Sequence, residues 1–338
     1  MRILILLPLL LAAGAAAARA ADNSNAPFRP PPRVLMDPPA WYSPAHFKLM
    51  GKPQSGEWMA AHPEPPQSFQ NYIALKPNLP TQERHTLCLS AVGPIAATDR
   101  ERLATLREFL ELYYTLPVRM GPDLDLKGVT SRDREVFDQK TVRQYLTEDI
   151  LHQVLMPAVP RDAYCLQGVT MEDLYPEPSW NYVFGQAMLT HRVGIYSLVR
   201  FYPAFWGRKD DDASRKRGLL RSLQTLVHET GHMFGVAHCQ KYECVMNGSN
   251  SLQESDRRPI HLCPECLRKF RWNTGFNIVK RYEALKAFYE KQALTSQAEW
   301  IELRLRECRG AAGTAPAKPA GTGGAQETKG TDSKLPSP

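Results

Sequence analysis

The sequence has little of what marks membrane proteins, nucleic-acid-binding proteins and repeat proteins. Beyond residues 1–20 it has no apolar run approaching the ~20 residues needed to cross a bilayer, so we expect no stable membrane insertion by the rest of the chain. No long basic run occurs outside Arg215, Lys216 and Arg217, and part of the net charge of +7 lies in the two ends. This distribution argues against binding to nucleic acid. No internal repeat is visible.

Residues 1–20 have the composition of a signal peptide. Arg2 precedes an apolar run, and Ala18-Arg19-Ala20 has the form of a signal-peptidase site. A membrane anchor is the alternative, but the uncharged stretch is too short to cross a bilayer. We therefore expect cleavage after Ala20 and an exported protein, either periplasmic or secreted.

The remaining 318 residues divide by composition into two tails and a folded part. Residues 21–40 are rich in proline and predict an extended linker. Residues 310–338 lack large apolar side chains and predict a disordered tail. Residues 41–309 have ordinary globular composition and are expected to form one domain, with a smaller C-terminal subdomain from about residue 236.

Hydrophobic periodicity predicts an α/β (α+β) fold, a sheet with helices followed by a mostly helical C-terminal part. The predicted strands are 86–95, a short one near 116–120, 163–169, 182–188 and 193–202. The predicted helices are 97–114, 141–155, about 213 to 235, 267–292 and 296–308.

Three histidines and a glutamate form the strongest chemical motif of the chain. His228 and His232 end an amphipathic helix and lie on one face of it, four residues apart. Gly235 permits a left-handed turn that returns His238 as a third nitrogen ligand. Three ligands leave zinc a fourth position for water, from which Glu229 can take a proton as general base. The alternatives are histidines that bind nothing, or a glutamate that only shields the charge of the metal.

Four of the 7 cysteines are clustered in sequence. An odd number excludes complete disulfide pairing. Cys239, Cys244, Cys263 and Cys266 form two closely spaced pairs, which suits a structural four-thiolate zinc site. Two disulfides remain an alternative, and a nucleic-acid-binding zinc ribbon is disfavoured by the charge. Because Cys239 follows His238 directly, a metal held by Cys239 would also fix the third catalytic ligand.

These motifs resemble those of the archaemetzincins, metzincin-type zinc peptidases with a three-histidine catalytic site and a second, four-cysteine zinc site. The resemblance extends over roughly residues 41 to 290. It is carried by HETGHMFGVAHC at 228–239, CVMNGS at 244–249 and CPEC at 263–266, and by similar stretches at 57–70, 84–93, 173–187, 193–201 and 253–269.

The resemblance implies a metzincin-like zincin fold and roles for individual residues. The fold would be a twisted mixed β-sheet with an active-site helix below it and a smaller helical subdomain. The zinc ligands would be those already named, two ions per chain, with Met246 as a hydrophobic floor beneath the catalytic metal. Residues 182–188 would form an edge strand that binds a peptide substrate by strand addition, through Tyr182, Val183, Phe184 and Gly185.

We therefore predict an exported zinc metallopeptidase that acts on peptides or proteins by zinc-activated water, with Glu229 as base. The family suggests an aminopeptidase-like preference for short peptides. Two alternatives stay open: a non-catalytic zinc protein that binds peptides in the same cleft, and a zinc amidohydrolase that acts on non-protein amides. The oligomeric state cannot be predicted from the sequence.

Overall fold

A computed structural model describes residues 37–137 and 139–313. The predicted signal peptide lies outside the described residues, as do most of the predicted linker and most of the predicted tail. Where the linker enters the described part, residues Pro39–Tyr42 form a short 3-10 helix. The last helix continues to Gly313, past the predicted tail boundary at 310, because Ala311 and Ala312 favour helix.

The described residues contain eight strands and ten α-helices. The strands are β1 (Thr86–Ala91), β2 (Val118–Met120), β3 (Ser131–Phe137), β4 (Lys140–Leu146), β5 (Ala163–Thr170), β6 (Asp173–Tyr175), β7 (Gly185–Met188) and β8 (Val193–Ser197). The helices are α1 (Trp58–Ala61), α2 (Phe69–Ala74), α3 (Ala97–Tyr114), α4 (Thr147–Asp149), α5 (Met156–Ala158), α6 (Asp212–Met233), α7 (Leu252–Arg257), α8 (Pro264–Thr274), α9 (Ile278–Lys291) and α10 (Thr295–Gly313). Among them, none combines the length and the apolar composition that crossing a membrane would require.

Five strands form a mixed sheet in the order β2-β1-β5-β8-β7. The first four are parallel, and β7 joins antiparallel to β8 at one edge. Helices α3 and α6 cover one face with a large apolar core, and the helical segment 147–158 covers the other with a smaller one. Since both faces are covered, every residue of β5 is buried. The predicted α/β class is confirmed.

The predicted helix 141–155 is wrong over its first residues, which belong to a second, three-stranded sheet in the order β3-β4-β6. Residues 140–146 form a strand because Thr141, Val142 and Tyr145 favour extended backbone and pair with the preceding strand. Only from Thr147 is the chain helical, and Ile150–Leu155 is a π-helix.

The C-terminal part is helical, as predicted, but its helices are divided differently. The predicted helix 267–292 is two helices, because Gly275 adopts a left-handed φ of 76° and ends α8. The predicted strand 182–188 is shorter and begins at Gly185, and the strand predicted to reach residue 202 ends at Ser197.

Candidate active site

Helix α6 places three candidate site residues directly under the edge of the main sheet. Its N-terminus is closed by a capping box between Asp211 and Ser214, and its last three turns are buried against β5, β7 and β8. His228, Glu229 and His232 lie in this buried part. Gly235, with a φ of 80°, then reverses the chain toward His238.

The three histidines converge on one point. One nitrogen from each of His228, His232 and His238 lies within 4.8 Å of the others. The Nε2 atoms of His228 and His232 are 3.1 Å apart, while their Nδ1 atoms donate to the carbonyls of Val245 and Val236 at 2.8 Å. The Nε2 atoms are therefore free to bind a metal, and three imidazole nitrogens are a ligand set that suits catalytic zinc.

Burial keeps two of these imidazoles neutral. It lowers the pKa of His232 to about 3, and burial together with the nearby Arg258 guanidinium lowers the pKa of His228 well below its ordinary value. A neutral imidazole is the form that binds metal, so protons compete little with a cation at these two residues at neutral pH.

The carboxyl group of Glu229 lies against the edge strand. A Cβ atom added to Gly185 would lie 2.8 Å from the Glu229 carboxyl carbon. Burial raises the pKa of Glu229 to about 8, and a cation bound by the histidines would favour its ionised form. A group whose pKa lies near neutrality can both accept and return a proton.

Met246 lies directly beneath the helix turn that carries the two histidines. It is fully buried, and a Cβ atom added to Gly231 would lie 2.7 Å from its sulfur. Its carbonyl accepts a hydrogen bond from the Cys239 amide at 2.8 Å. Met246 thus packs against Gly231, in the helix turn between His228 and His232, and its role as an apolar floor beneath the metal stays a prediction from the resemblance.

The four predicted cysteines also converge. The sulfurs of Cys239, Cys244, Cys263 and Cys266 lie within 4.8 Å of one another, and all seven cysteines of the chain are buried and free. Hydrogen bonds from the other three thiols lower the pKa of Cys239 well below its ordinary value, whereas burial raises the pKa of Cys244. A divalent cation is the group that would let four buried sulfurs all be deprotonated, so this donor set fits zinc.

A cavity of about 560 Å³ opens above the histidines and Glu229. Three of the four predicted substrate-binding residues line it, namely Val183, Phe184 and Gly185. Tyr182 lines a smaller neighbouring cavity, and its ring stacks on the Arg200 guanidinium at 3.8 Å. The edge strand β7 forms one border of the cavity, with hydrogen-bond partners on its β8 side.

Sequence reasoning missed two charged residues at this site. Glu64 lines the cavity and contacts His238, and the buried Arg258 lies 3.3 Å from the Nδ1 atom of His228. Arg258 is fixed by a hydrogen bond from its Nη1 to the Asn247 carbonyl at 2.7 Å. Both residues fall in stretches that carry the family resemblance, but no spacing in the sequence connects them with the histidines.

Comparison with known proteins relates this chain to one peptidase family. The sequence pattern of Peptidase family M54 matches residues 161–272. Archaemetzincin-2 of Macaca fascicularis is 36% identical over 265 residues, covering 70% of this chain and 73% of the relative. Archaemetzincin-2 of Homo sapiens is 35% identical, with the same coverage. The crystal structure of archaemetzincin from Methanopyrus kandleri is 26% identical, with a TM-score of 0.43, and covers 58% of this chain and 99% of that chain.

The relatives' similarity spans most of both chains, and the family pattern over residues 161–272 includes the stretch that carries the three histidines and the four cysteines. The chain belongs to the archaemetzincin family and is a zinc metallopeptidase.

Proposed function

We propose that His228, His232 and His238 hold the catalytic zinc and that Glu229 is the general base for hydrolysis of peptide bonds. The observation that carries this proposal is the convergence of three imidazole nitrogens beside the Glu229 carboxyl group, at the bottom of a cavity bordered by a sheet edge. Cys239, Cys244, Cys263 and Cys266 would hold a second, structural zinc, giving two ions per chain.

The protein's own groups bind the substrate and move the proton. When bound, zinc polarises a carbonyl oxygen and lowers the pKa of water. The free side of β7 pairs with an extended peptide and sets the scissile bond above the histidines, since Gly185 touches Glu229. The Glu229 carboxylate takes a proton from the attacking water and delivers it to the leaving amine.

The charge of the cavity favours an aminopeptidase-like preference. Among the described residues, the carboxylates of Glu64, Glu148, Glu177 and Glu229 line it, against the guanidinium of Arg258 and the two positive charges of a bound zinc ion, which leaves one negative charge in excess. A cavity with excess negative charge attracts the ammonium group of a peptide N-terminus. Short peptides with a free amino end are therefore the proposed substrates.

The proposed location of this activity is outside the cytoplasm, after export. Residues 1–20 combine a basic start, an apolar run and a small-residue cleavage site, which together support secretion or a periplasmic location. Export would place the four thiolates in an oxidising compartment, where a bound zinc ion would protect them from disulfide formation.

The test is mass-spectrometric mapping of cleavages in a peptide library, with free and acetylated N-termini, by the zinc-loaded protein. We expect cleavage that a chelator abolishes and added zinc restores, and that acetylation of the N-terminus suppresses. Cleavage far from the N-terminus would replace the aminopeptidase preference by endopeptidase action. Peptide binding without cleavage, or hydrolysis of non-protein amides alone, would overturn the proposal.

A further inference from the structure

The third histidine is held differently from the other two. His228 and His232 donate from Nδ1 to backbone carbonyls within 17 residues of sequence. His238 instead donates from Nδ1 to the Oε1 atom of Glu64 at 2.6 Å, across 174 residues of sequence. Of the three, His238 is therefore the one that donates from Nδ1 to a side chain.

The carboxylate of Glu64 is itself fixed. Its Oε1 atom accepts a second hydrogen bond from the Nε1 atom of Trp58 at 2.8 Å, and the Trp58 ring packs edge-on against the His238 ring. The side chain of Glu64 is only 28% exposed, so solvent screens its charge incompletely.

The backbone around Glu64 is joined to the loop that presents His238. The Gln240 side chain donates to the Glu64 carbonyl at 2.9 Å. Gln67 donates to the Gly235 carbonyl at 2.9 Å and accepts from the Ala237 amide at 3.1 Å. Lys269 of α8 in turn donates to the Gln67 carbonyl at 2.6 Å. The segment 64–67 thus holds both sides of the turn between α6 and His238.

These contacts match the general arrangement in which a carboxylate orients a metal-binding histidine. A carboxylate on Nδ1 fixes the tautomer with the proton on that nitrogen, holds the ring in place and makes Nε2 a stronger donor to the metal. We propose that Glu64 is a positioning residue for the catalytic zinc, acting through His238. This inference rests on the proposed role of His238 as a zinc ligand, and it makes the segment preceding the main sheet a working part of the site.

The experiment measures zinc retention in the full chain, purified as wild type, Glu64→Gln and Glu64→Ala, by equilibrium dialysis over a series of buffered zinc concentrations. Glu57→Gln is the matched control, because Glu57 also precedes the main sheet, seven residues before Glu64, but pairs with Arg257 and the Gln54 amide rather than with a histidine. The control for folding is retention of zinc at the four cysteines. It is measured in each variant as protection of the thiols from alkylation.

We expect the affinity of one zinc ion per chain to fall about 10-fold in Glu64→Gln and up to about 100-fold in Glu64→Ala, the range found for carboxylates that orient metal-binding histidines. The zinc affinity falls less in the glutamine variant because the glutamine amide oxygen still accepts a hydrogen bond from Nδ1 of His238. With zinc in excess, kcat should fall in the same order, and the fall in kcat should exceed any rise in KM, because Glu64 acts on the metal ligand and is only one of several carboxylates that line the cavity.

Equal zinc affinity in wild type and Glu64→Ala would overturn the inference while leaving the proposed function intact. Loss of the same size in Glu57→Gln would show that the segment acts only by its packing, and would also overturn it. Wild-type protein that holds zinc at the cysteines but none at the histidines would contradict the proposed function itself, which is a different result.

Discussion

At the scale of single residues, the candidate site depends on positions where no side chain fits. Gly231 faces Met246 and Gly185 faces Glu229, each so closely that a Cβ atom would collide. The two glycines allow the active-site helix to approach the methionine below it and the edge strand above it. The contact at Gly231 gives a prediction about stability, and the contact at Gly185 gives a prediction about catalysis.

Gly231→Ala should destabilise the protein although alanine favours helix. The added Cβ would lie 2.7 Å from the Met246 sulfur and 3.1 Å from a Phe270 ring carbon. Overpacking of this kind costs about 1–3 kcal/mol, against a gain of ~1 kcal/mol in helix propensity. Urea unfolding measures the loss. In the double variant Gly231→Ala, Met246→Ala, the loss of stability should be smaller than the sum of the losses in the two single variants. A loss equal to that sum would refute the proposed collision.

Gly185→Ala should reduce turnover without loss of zinc. Its Cβ would displace the Glu229 carboxyl group, whose carbon and Oε1 atom both lie 2.8 Å away. A shift of about 1 Å in a catalytic group can lower the rate roughly 10²-fold. The measurement is kcat at matched zinc content, with the melting temperature as the control for folding. Wild-type turnover would mean that Glu229 is not positioned by the edge strand.

At the scale of elements, the turn after α6 serves both candidate metal sites. His238 and Cys239 are adjacent, and the Asn247 side chain donates to the Cys239 carbonyl at 2.7 Å while accepting from the Cys244 amide at 2.7 Å. Helix α8 begins at the other cysteine pair, where the Cys263 sulfur accepts from the Cys266 amide. A change that disorders the cysteine cluster should therefore also disorder His238.

Cys263→Ser should remove the structural zinc and speed the release of the catalytic zinc. Losing one ligand of a buried four-sulfur site loosens the turn that carries His238. The rate of zinc release to a chromophoric chelator measures the effect. Cys308→Ser is the matched control, because Cys308 is equally buried but lies in α10 outside the cluster. Unchanged release of the catalytic zinc would show that the two sites are independent.

The sequence predicted the elements whose signals are local. Helix α3 over 97–114 agrees with its apolar spacing, and the three histidines and four cysteines were found because the histidines, and the members of each cysteine pair, are close together in sequence. The strands β3 and β4 were missed because their charged, alternating residues become a sheet only by pairing with each other. Glu64 was missed because the fold, and no sequence spacing, brings it to His238.

At the scale of the whole molecule, one buried ion pair joins the two sheets. Asp173 of β6 accepts two hydrogen bonds from Arg200, which follows β8, at 2.6 and 2.7 Å. Gln144 of β4 donates to the same carboxylate at 2.7 Å, and the Tyr182 ring covers the guanidinium. The small sheet and the segment leading into the edge strand therefore share one anchor.

Asp173→Asn should destabilise the protein by about 3–5 kcal/mol, because it leaves the Arg200 guanidinium buried without its partner. Asp133→Asn is the matched control, since it removes the exposed pair between Asp133 and Arg143 of β4 and should cost at most about 1 kcal/mol. Chemical denaturation of both variants measures the difference. Equal losses would mean that the buried pair does not anchor the small sheet.

The most direct test of the account is the turnover of Glu229→Gln with a peptide substrate, at a zinc content matched to the wild-type protein. Glutamine keeps the size of the side chain but cannot take a proton. We predict that zinc and peptide binding persist while kcat falls by at least about 10²-fold. Wild-type turnover by the zinc-loaded variant would contradict the assignment of Glu229 as the base that this active site uses.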